Sequence, residues 1–227
     1  MTEGPAHGEA RIRILAADDH PLLREALVLL LTRRGLAVAG VAGNGDDLVS
    51  QARVHNPDVV IADIRMAPTY TDEGLRAALA IRESNPAIAI LVLSQHLHYR
   101  IAAELLESRN GGGGTGYLLK QRVADSEAFC SDLKRIAAGA TVVDPEVVAA
   151  MLGRPRRDDP VDRLSPRHRD VLASIAEGHG NATIARRLGL TPTAVTRHVS
   201  EVFAELGLPP AADDHERVLS VVRYLNR

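Results

Sequence analysis

At 227 residues the chain is long enough for two modest domains. With 45% hydrophobic and 25% charged residues it reads as globular rather than disordered or fibrous, and it holds no apolar run near the ~20 residues of a membrane span. The formal charge of −2 divides unevenly: from Arg154 onward there are 12 Arg and 10 Asp/Glu, against 15 basic and 19 acidic residues before it, an acidic front and a mildly basic back.

The opening, MTEGPAHGEA (1–10), has neither the basic start nor the apolar stretch of a secretory signal and is expected to be a disordered polar tail. Strands are then expected over Arg11–Ala16, Ala37–Ala42, Asp58–Ala62, Ala87–Leu93 and Gly116–Leu119. Between and after them, Pro21–Arg34, Asp46–His55, Asp72–Ser84, Tyr99–Ser108 and Val123–Ala138 carry apolar residues at helical spacing. Several of the strand runs are continuously apolar, as in a parallel sheet covered on both faces. Five β-α units predict an α/β fold, a doubly wound five-stranded parallel sheet of flavodoxin-like type, over residues 11–140. The single cysteine, Cys130, falls in the last of these helices as a small apolar residue; it excludes a disulfide framework and suits a reducing cytosol, so a cytoplasmic protein is expected. Residues 141–162 read as a short helix opened by Asp144-Pro145 and a polar, proline-flanked linker, Gly153–Pro160. Residues 163–227 carry helical patterns only, near Pro166–Glu177, Ala182–Leu188, Pro192–Leu206 and Asp213–Asn226.

Ligands of a parallel α/β sheet bind beyond the carboxyl ends of its strands. Strand one runs into Asp18-Asp19, strand three into Asp63, strand four into Ser94 and strand five into Lys120. Lys120 is one of only two lysines among 27 basic residues, the other being Lys134. Three carboxylates on one rim repel one another and call for a cation; an all-oxygen set with few carboxylates suits Mg²⁺ bridging to a phosphate. One carboxylate can then attack phosphorus, while Lys120 neutralises phosphoryl oxygens and Ser94 donates a hydrogen bond to one.

These segments resemble a known family. Ile14–Leu27 (ILAADDHPLLREAL), Pro57–Met66 (PDVVIADIRM), Ile90–Ser94 (ILVLS) and Gly116–Lys120 (GYLLK) are similar to the motifs of a response-regulator receiver domain. The resemblance implies Asp63 as phosphoacceptor, with Asp18 and Asp19 as metal residues, Asp19 favoured as the direct ligand. It also implies the backbone carbonyl of Arg65 as a further ligand, and Tyr117 as a switch aromatic that turns inward when Ser94 moves toward the phosphoryl group. Two departures stand out: the loop Met66–Gly74 is longer than the family's Met-Pro turn, and Lys120 is followed by Gln121.

In the back half, Asn181–Val195 has helix-turn-helix grammar: a helix to Leu188, a turn at Gly189, a cap at Thr191 and Pro192 opening the next helix. On that second helix Val195, Val199, Val202 and Leu206 form an apolar stripe. Thr193, Thr196, Arg197 and Ser200 lie opposite, suited to base edges and phosphates, with Asn181 as a further phosphate donor. From Leu164 to the end the chain resembles a LuxR-type DNA-binding domain, and the whole resembles the NarL/FixJ family, in particular its actinobacterial branch. The family commonly has Arg-Glu in the first helix, where this chain has Arg167-His168.

The expected function is that of a two-component transcription regulator and not an enzyme, catalysing only its own phosphoryl transfer and dephosphorylation at Asp63. The partners the resemblance implies are a sensor histidine kinase, double-stranded DNA carrying an inverted repeat, and a second copy of the chain. With so few basic residues, DNA binding should need a dimer, packed through Asp213–Asn226. A phosphorylation-independent DNA-binding protein using the receiver as a dimerisation scaffold is the alternative. A phosphatase built on an Asp nucleophile is a third reading, weakened by Arg65 standing where a second aspartate is expected.

Overall fold

A computed structural model describes residues 11–109, 112–153 and 160–226. The expected tail 1–10 and most of the expected linker lie outside the described residues. The front half alternates β1 (Arg13–Ala17), α1 (Pro21–Arg33), β2 (Ala37–Ala42), α2 (Gly45–His55), β3 (Val59–Asp63), α3 (Glu73–Ser84), β4 (Ala89–Ser94), α4 (Tyr99–Glu107), β5 (Thr115–Leu119) and α5 (Ser126–Ala137). Every residue of β3, β4 and β5 is buried, which is why these runs are apolar apart from Asp63, Ser94 and Thr115. Asn44 and Asp125 cap α2 and α5 by accepting from the backbone N–H of Asp47 and Ala128.

Among the described residues the parallel sheet has six strands rather than five, in the order β2-β1-β3-β4-β5-β6. The sixth, β6 (Thr141–Val143), pairs with β5 in the register Thr115↔Thr141, Gly116↔Val142 and Tyr117↔Val143. Residues 141–162 were expected to hold only a helix and a linker. Instead, the β-branched run Thr-Val-Val satisfies the outer edge of β5 before α6 (Pro145–Leu152) begins. After the linker come α7 (Pro160–Arg163), α8 (Pro166–Ala176), α9 (Asn181–Leu188), α10 (Pro192–Leu206) and α11 (Asp214–Leu225). The turn between α9 and α10 is built as expected: Gly189 adopts φ +65°, and the Thr191 hydroxyl caps α10 at Ala194 N–H.

The sheet separates two cores. One, under α1 and α5, holds Ile14, Leu31, Ile61, Leu91, Phe129 and Leu133. Cys130 lies there, its thiol pushed up by burial. The other, under α2, α3 and α4, continues without a break through Val143, Val147 and Met151 into Leu172, Ile175, Val218 and Val222. The helical half is thereby docked on the sheet half. α11 packs on α4, α6 and β6, and α8 on α6. Polar contacts border this seam: Arg223 Nε donates to Glu107 Oε1 at 2.7 Å, Arg135 to the Gly178 carbonyl at 2.6 Å, and His215 Nδ1 lies 2.7 Å from Thr141 Oγ1. At its tightest point Gly178, at φ +83°, brings its backbone so near Thr141 that a Cβ would stand 1.8 Å from the Thr141 carbonyl oxygen. The last helix, expected to pack between copies, thus spends Val218, Val221, Val222 and Leu225 within its own chain.

Candidate functional site

The carboxyl ends of β1, β3 and β5 bring Asp18, Asp19, Asp63 and Lys120 together. One carboxylate oxygen from each of the three aspartates lies within 4.8 Å of the others. The Lys120 ammonium bridges the group, 2.8 Å from Asp18 Oδ2 and 2.8 Å from Asp63 Oδ2. Asp18 is held from the protein side: its Oδ1 accepts from His20 N–H at 2.9 Å and its carbonyl from Arg24 at 2.7 Å. Burial pushes the Asp63 carboxyl up from its ordinary value, while the hydrogen bond and charge of Lys120 pull it down; Asp18 raises it further and the Arg65 backbone N–H lowers it. Burial also presses on the Lys120 ammonium, but Asp18 and Asp63 prevail and raise its pKa. The clustered donors are the carboxylate oxygens of Asp18, Asp19 and Asp63, a hard set that fits Mg²⁺.

Two residues outside the motif shape this rim. Gly74, at the start of α3, lies so close that a Cβ there would stand 1.6 Å from the Asp63 carbonyl oxygen. Asp144 is buried and accepts from Leu119 N–H at 3.0 Å, fixing the backbone immediately before Lys120. The pair Asp144-Pro145 was legible as a helix cap, a role it also fills by accepting from Glu146 N–H; its hold on β5 follows from β6, which the sequence did not disclose.

Ser94 ends β4 on the same rim, but its hydroxyl donates to the His96 carbonyl at 2.6 Å. Tyr117 is fully buried, and its hydroxyl accepts from His98 N–H and donates to the His96 carbonyl, both at 3.2 Å. The ring is therefore inward, and Ser94 and Tyr117 both bond to the His96 carbonyl. His98 is the N-cap position of α4, so these bonds tie the rim to that helix. Arg65 is exposed, with its guanidinium 3.2 Å from His98 Nε2.

On α10 the apolar stripe is buried at Val195, Val202 and Leu206, joined by Phe203. Thr193, Thr196, Arg197 and Ser200 are exposed. Thr196 and Ser200 bond back to the Pro192 and Thr196 carbonyls, and Arg197 Nε lies 3.6 Å from Glu201 Oε1. Asn181 is half-buried between helices: its Oδ1 accepts from Arg217 at 2.9 Å and its amide donates to Thr196 at 3.4 Å.

A family model of the response regulator receiver domain matches residues 14–127. The chain belongs to the response-regulator family. A second model, of bacterial regulatory proteins of the luxR family, matches residues 162–212, making this a two-component response regulator with a LuxR-type DNA-binding domain. The regulator is 31% identical over 226 residues to the transcriptional regulatory protein LnrK of Bacillus subtilis, covering 94% of this chain and 97% of that one. It is 33% identical over 201 residues to the nitrate/nitrite response regulator NarL of Escherichia coli K12, covering 86% and 89% of the two chains. The RcsB response regulator of Salmonella typhimurium shares the fold, with a TM-score of 0.52 at 23% identity over 95% of this chain and 98% of that one. Among the described residues of the regulator, no helix is long and apolar enough to cross a membrane.

Proposed function

We propose that the regulator is a cytoplasmic transcription factor that takes a phosphoryl group on Asp63 from a sensor histidine kinase. The observation that carries this reading is the Lys120 ammonium held between Asp18 and Asp63, at the mouth of a pocket that Asp19 and Ser94 also line. Asp18, Asp19, Asp63 and the Arg65 carbonyl are the groups that would hold Mg²⁺; when bound, the ion supplies neutralisation of charge on the phosphoryl oxygens. An Asp63 carboxylate oxygen attacks phosphorus, the bond from phosphorus to the kinase's imidazole breaks, and an acyl phosphate remains. Lys120 moves its charge from the Asp63 carboxylate to the new phosphoryl oxygens. Ser94 exchanges the His96 carbonyl for one of those oxygens. Because Tyr117 bonds both His96 and His98, this exchange loosens the start of α4.

Helix α4 carries Glu107, the partner of Arg223 on α11. Loosening α4 frees α11 for pairing with a second copy, and two α10 helices then meet an inverted repeat with Thr193, Thr196, Arg197 and Ser200 toward the groove and Asn181 near the backbone. The domains in this scheme are the receiver, 11–140, and the DNA-binding unit, 163–227. Incubation with Mg²⁺ and acetyl phosphate should add one phosphoryl mass on Asp63, labile to base, and should raise the dimer fraction and operator affinity. No mass gain, or an equal gain in Asp63→Asn, rejects the phosphoacceptor. Equal operator affinity for wild type and Asp63→Asn with and without the donor would favour a constitutive binder instead.

A further inference from the structure

Away from the aspartate rim, the DNA-binding half builds a second cluster of metal-ligating groups. His168 comes from α8, and His198 and Glu201 come from one face of α10, three residues apart. Glu201 Oε2 is 3.2 Å from His168 Nε2 and 3.2 Å from His198 Nδ1. The two rings meet edge-on, with centroids 5.4 Å apart at 67°, and one nitrogen of each lies within 4.8 Å of the other and of a Glu201 oxygen. For metal–nitrogen and metal–oxygen bonds of about 2.0–2.1 Å, the edge of a coordination tetrahedron is about 3.3 Å. The separations found match two such edges.

Three more features favour a ligand over a plain hydrogen-bonded trio. Both histidines are largely shielded, with side-chain exposures of 14% and 16%, whereas Glu201 is 43% exposed and leaves one side open to water. The other nitrogen of His168, Nδ1, is buried without a hydrogen-bond partner, yet stands 3.4 Å from Glu205 Oε1. A ligating imidazole backed by a carboxylate on its far nitrogen is the usual outer support of a metal-bound histidine. Finally, one carboxylate is divided between two tasks: Glu201 Oε2 faces the imidazoles while Oε1 faces Arg197 at 3.6 Å.

We propose that His168, His198 and Glu201 form a binding site for a divalent transition-metal ion of the zinc class, with Glu205 orienting His168. Two imidazoles and one carboxylate leave a fourth position for water, the pattern of an open tetrahedral site. The ion clamps α10 to α8 and neutralises Glu201. Arg197 then loses its anionic partner and is available to a DNA phosphate; this last consequence rests on the DNA-binding role of α10, whereas the site itself does not.

The test uses the full chain in millimolar Mg²⁺, which occupies the hard oxygen donors around Asp63, and titrates Co²⁺ and then Zn²⁺. One equivalent of Co²⁺ should give the intense visible absorption of a four-coordinate ion, and Zn²⁺ should displace it. His168→Gln and His198→Gln should each weaken binding by about 100-fold, while Asp63→Asn leaves the band in place. Equal metal-free circular dichroism of wild type and variants assigns the loss to the ligands; if His168→Gln fails to fold, His198→Gln decides. Absence of the band, its survival in both histidine variants, or its loss in Asp63→Asn overturns the site. For the coupling, Zn²⁺ should tighten binding to duplex DNA at least threefold in wild type, and Glu201→Gln should match that affinity without metal. Unchanged DNA affinity in wild type carrying one zinc overturns the coupling alone.

Discussion

Substituting alanine for Gly178 should separate the two halves of the regulator without unfolding either. Gly178 stands at φ +83°, and an added Cβ would lie 1.8 Å from the Thr141 carbonyl oxygen and 2.8 Å from its carbon. The left-handed backbone alone costs an L-residue about 1–2 kcal/mol. The clash cannot be relieved by a rotamer, because both sides are backbone. The seam must open there, weakening the bonds from Arg135 to the Gly178 carbonyl and from Val143 N–H to the Glu177 carbonyl, at 2.6 and 3.5 Å. At about 1 kcal/mol for each net hydrogen bond, the docked arrangement loses roughly 2 kcal/mol, or about 30-fold in population. Gly207→Ala separates the two effects: that residue is at φ +64° with nothing within 4 Å of its would-be Cβ, so it incurs only the backbone term. Small-angle scattering and energy transfer between dyes on α2 and α9 should show a longer mean separation in Gly178→Ala and an unchanged one in Gly207→Ala. Identical distance distributions for the two variants would refute the reasoning.

Two other outcomes follow from charges in the structure. Lys120→Met removes the ammonium that lies 2.8 Å from both Asp18 and Asp63, leaving two largely buried carboxylates facing each other at a cost of about 3 kcal/mol; Mg²⁺ should restore more stability to the variant than it adds to wild type in urea titrations, and an equal increment would count against a shared cation site. His215 is pushed down to about 4 by burial and by the nearby Arg109 charge, against the pull of Asp213. A released imidazole takes its proton near 6.5, a docked one only near 4; proton binding therefore favours the undocked form, so docking is intact above about 6.5 and weakens as pH falls toward 4. His215→Asn should flatten this dependence in the same energy-transfer assay, and an unaltered profile would assign the acid sensitivity to other groups.

The aspartate rim was legible because a parallel sheet has few places where polar residues can follow apolar strands, and each of Asp18, Asp63, Ser94 and Lys120 occupies one. The boundaries of α10, Pro192–Leu206, were equally legible, since Thr191, Pro192 and Gly207 mark them by cap, fixed φ and positive φ. β6 was missed because three residues, Thr141–Val143, give no periodicity to count and gain their pairing only from the edge of β5. The docking of α11 was missed for a different reason. An amphipathic helix announces that one face is covered but not by what, and here the cover comes from α8, α4, α6 and β6 of the same chain. His168 was noticeable as a departure from the family's Arg-Glu, yet its meaning depended on His198 and Glu201, thirty residues away on another helix.

The strand Thr141–Val143 places the seam between the halves inside a secondary-structure element rather than in the polar linker. A receiver fragment cut at residue 140 would bare the edge of β5, a ready template for strand addition by another chain. It would also lose the apolar floor formed by Val143, Val147 and Met151, uncovering the core of the sheet beneath it. In this regulator the output unit is grafted onto the sheet, so exchanging it for another would require repacking that floor, and modular recombination at the linker would yield a sticky receiver instead of an inert one.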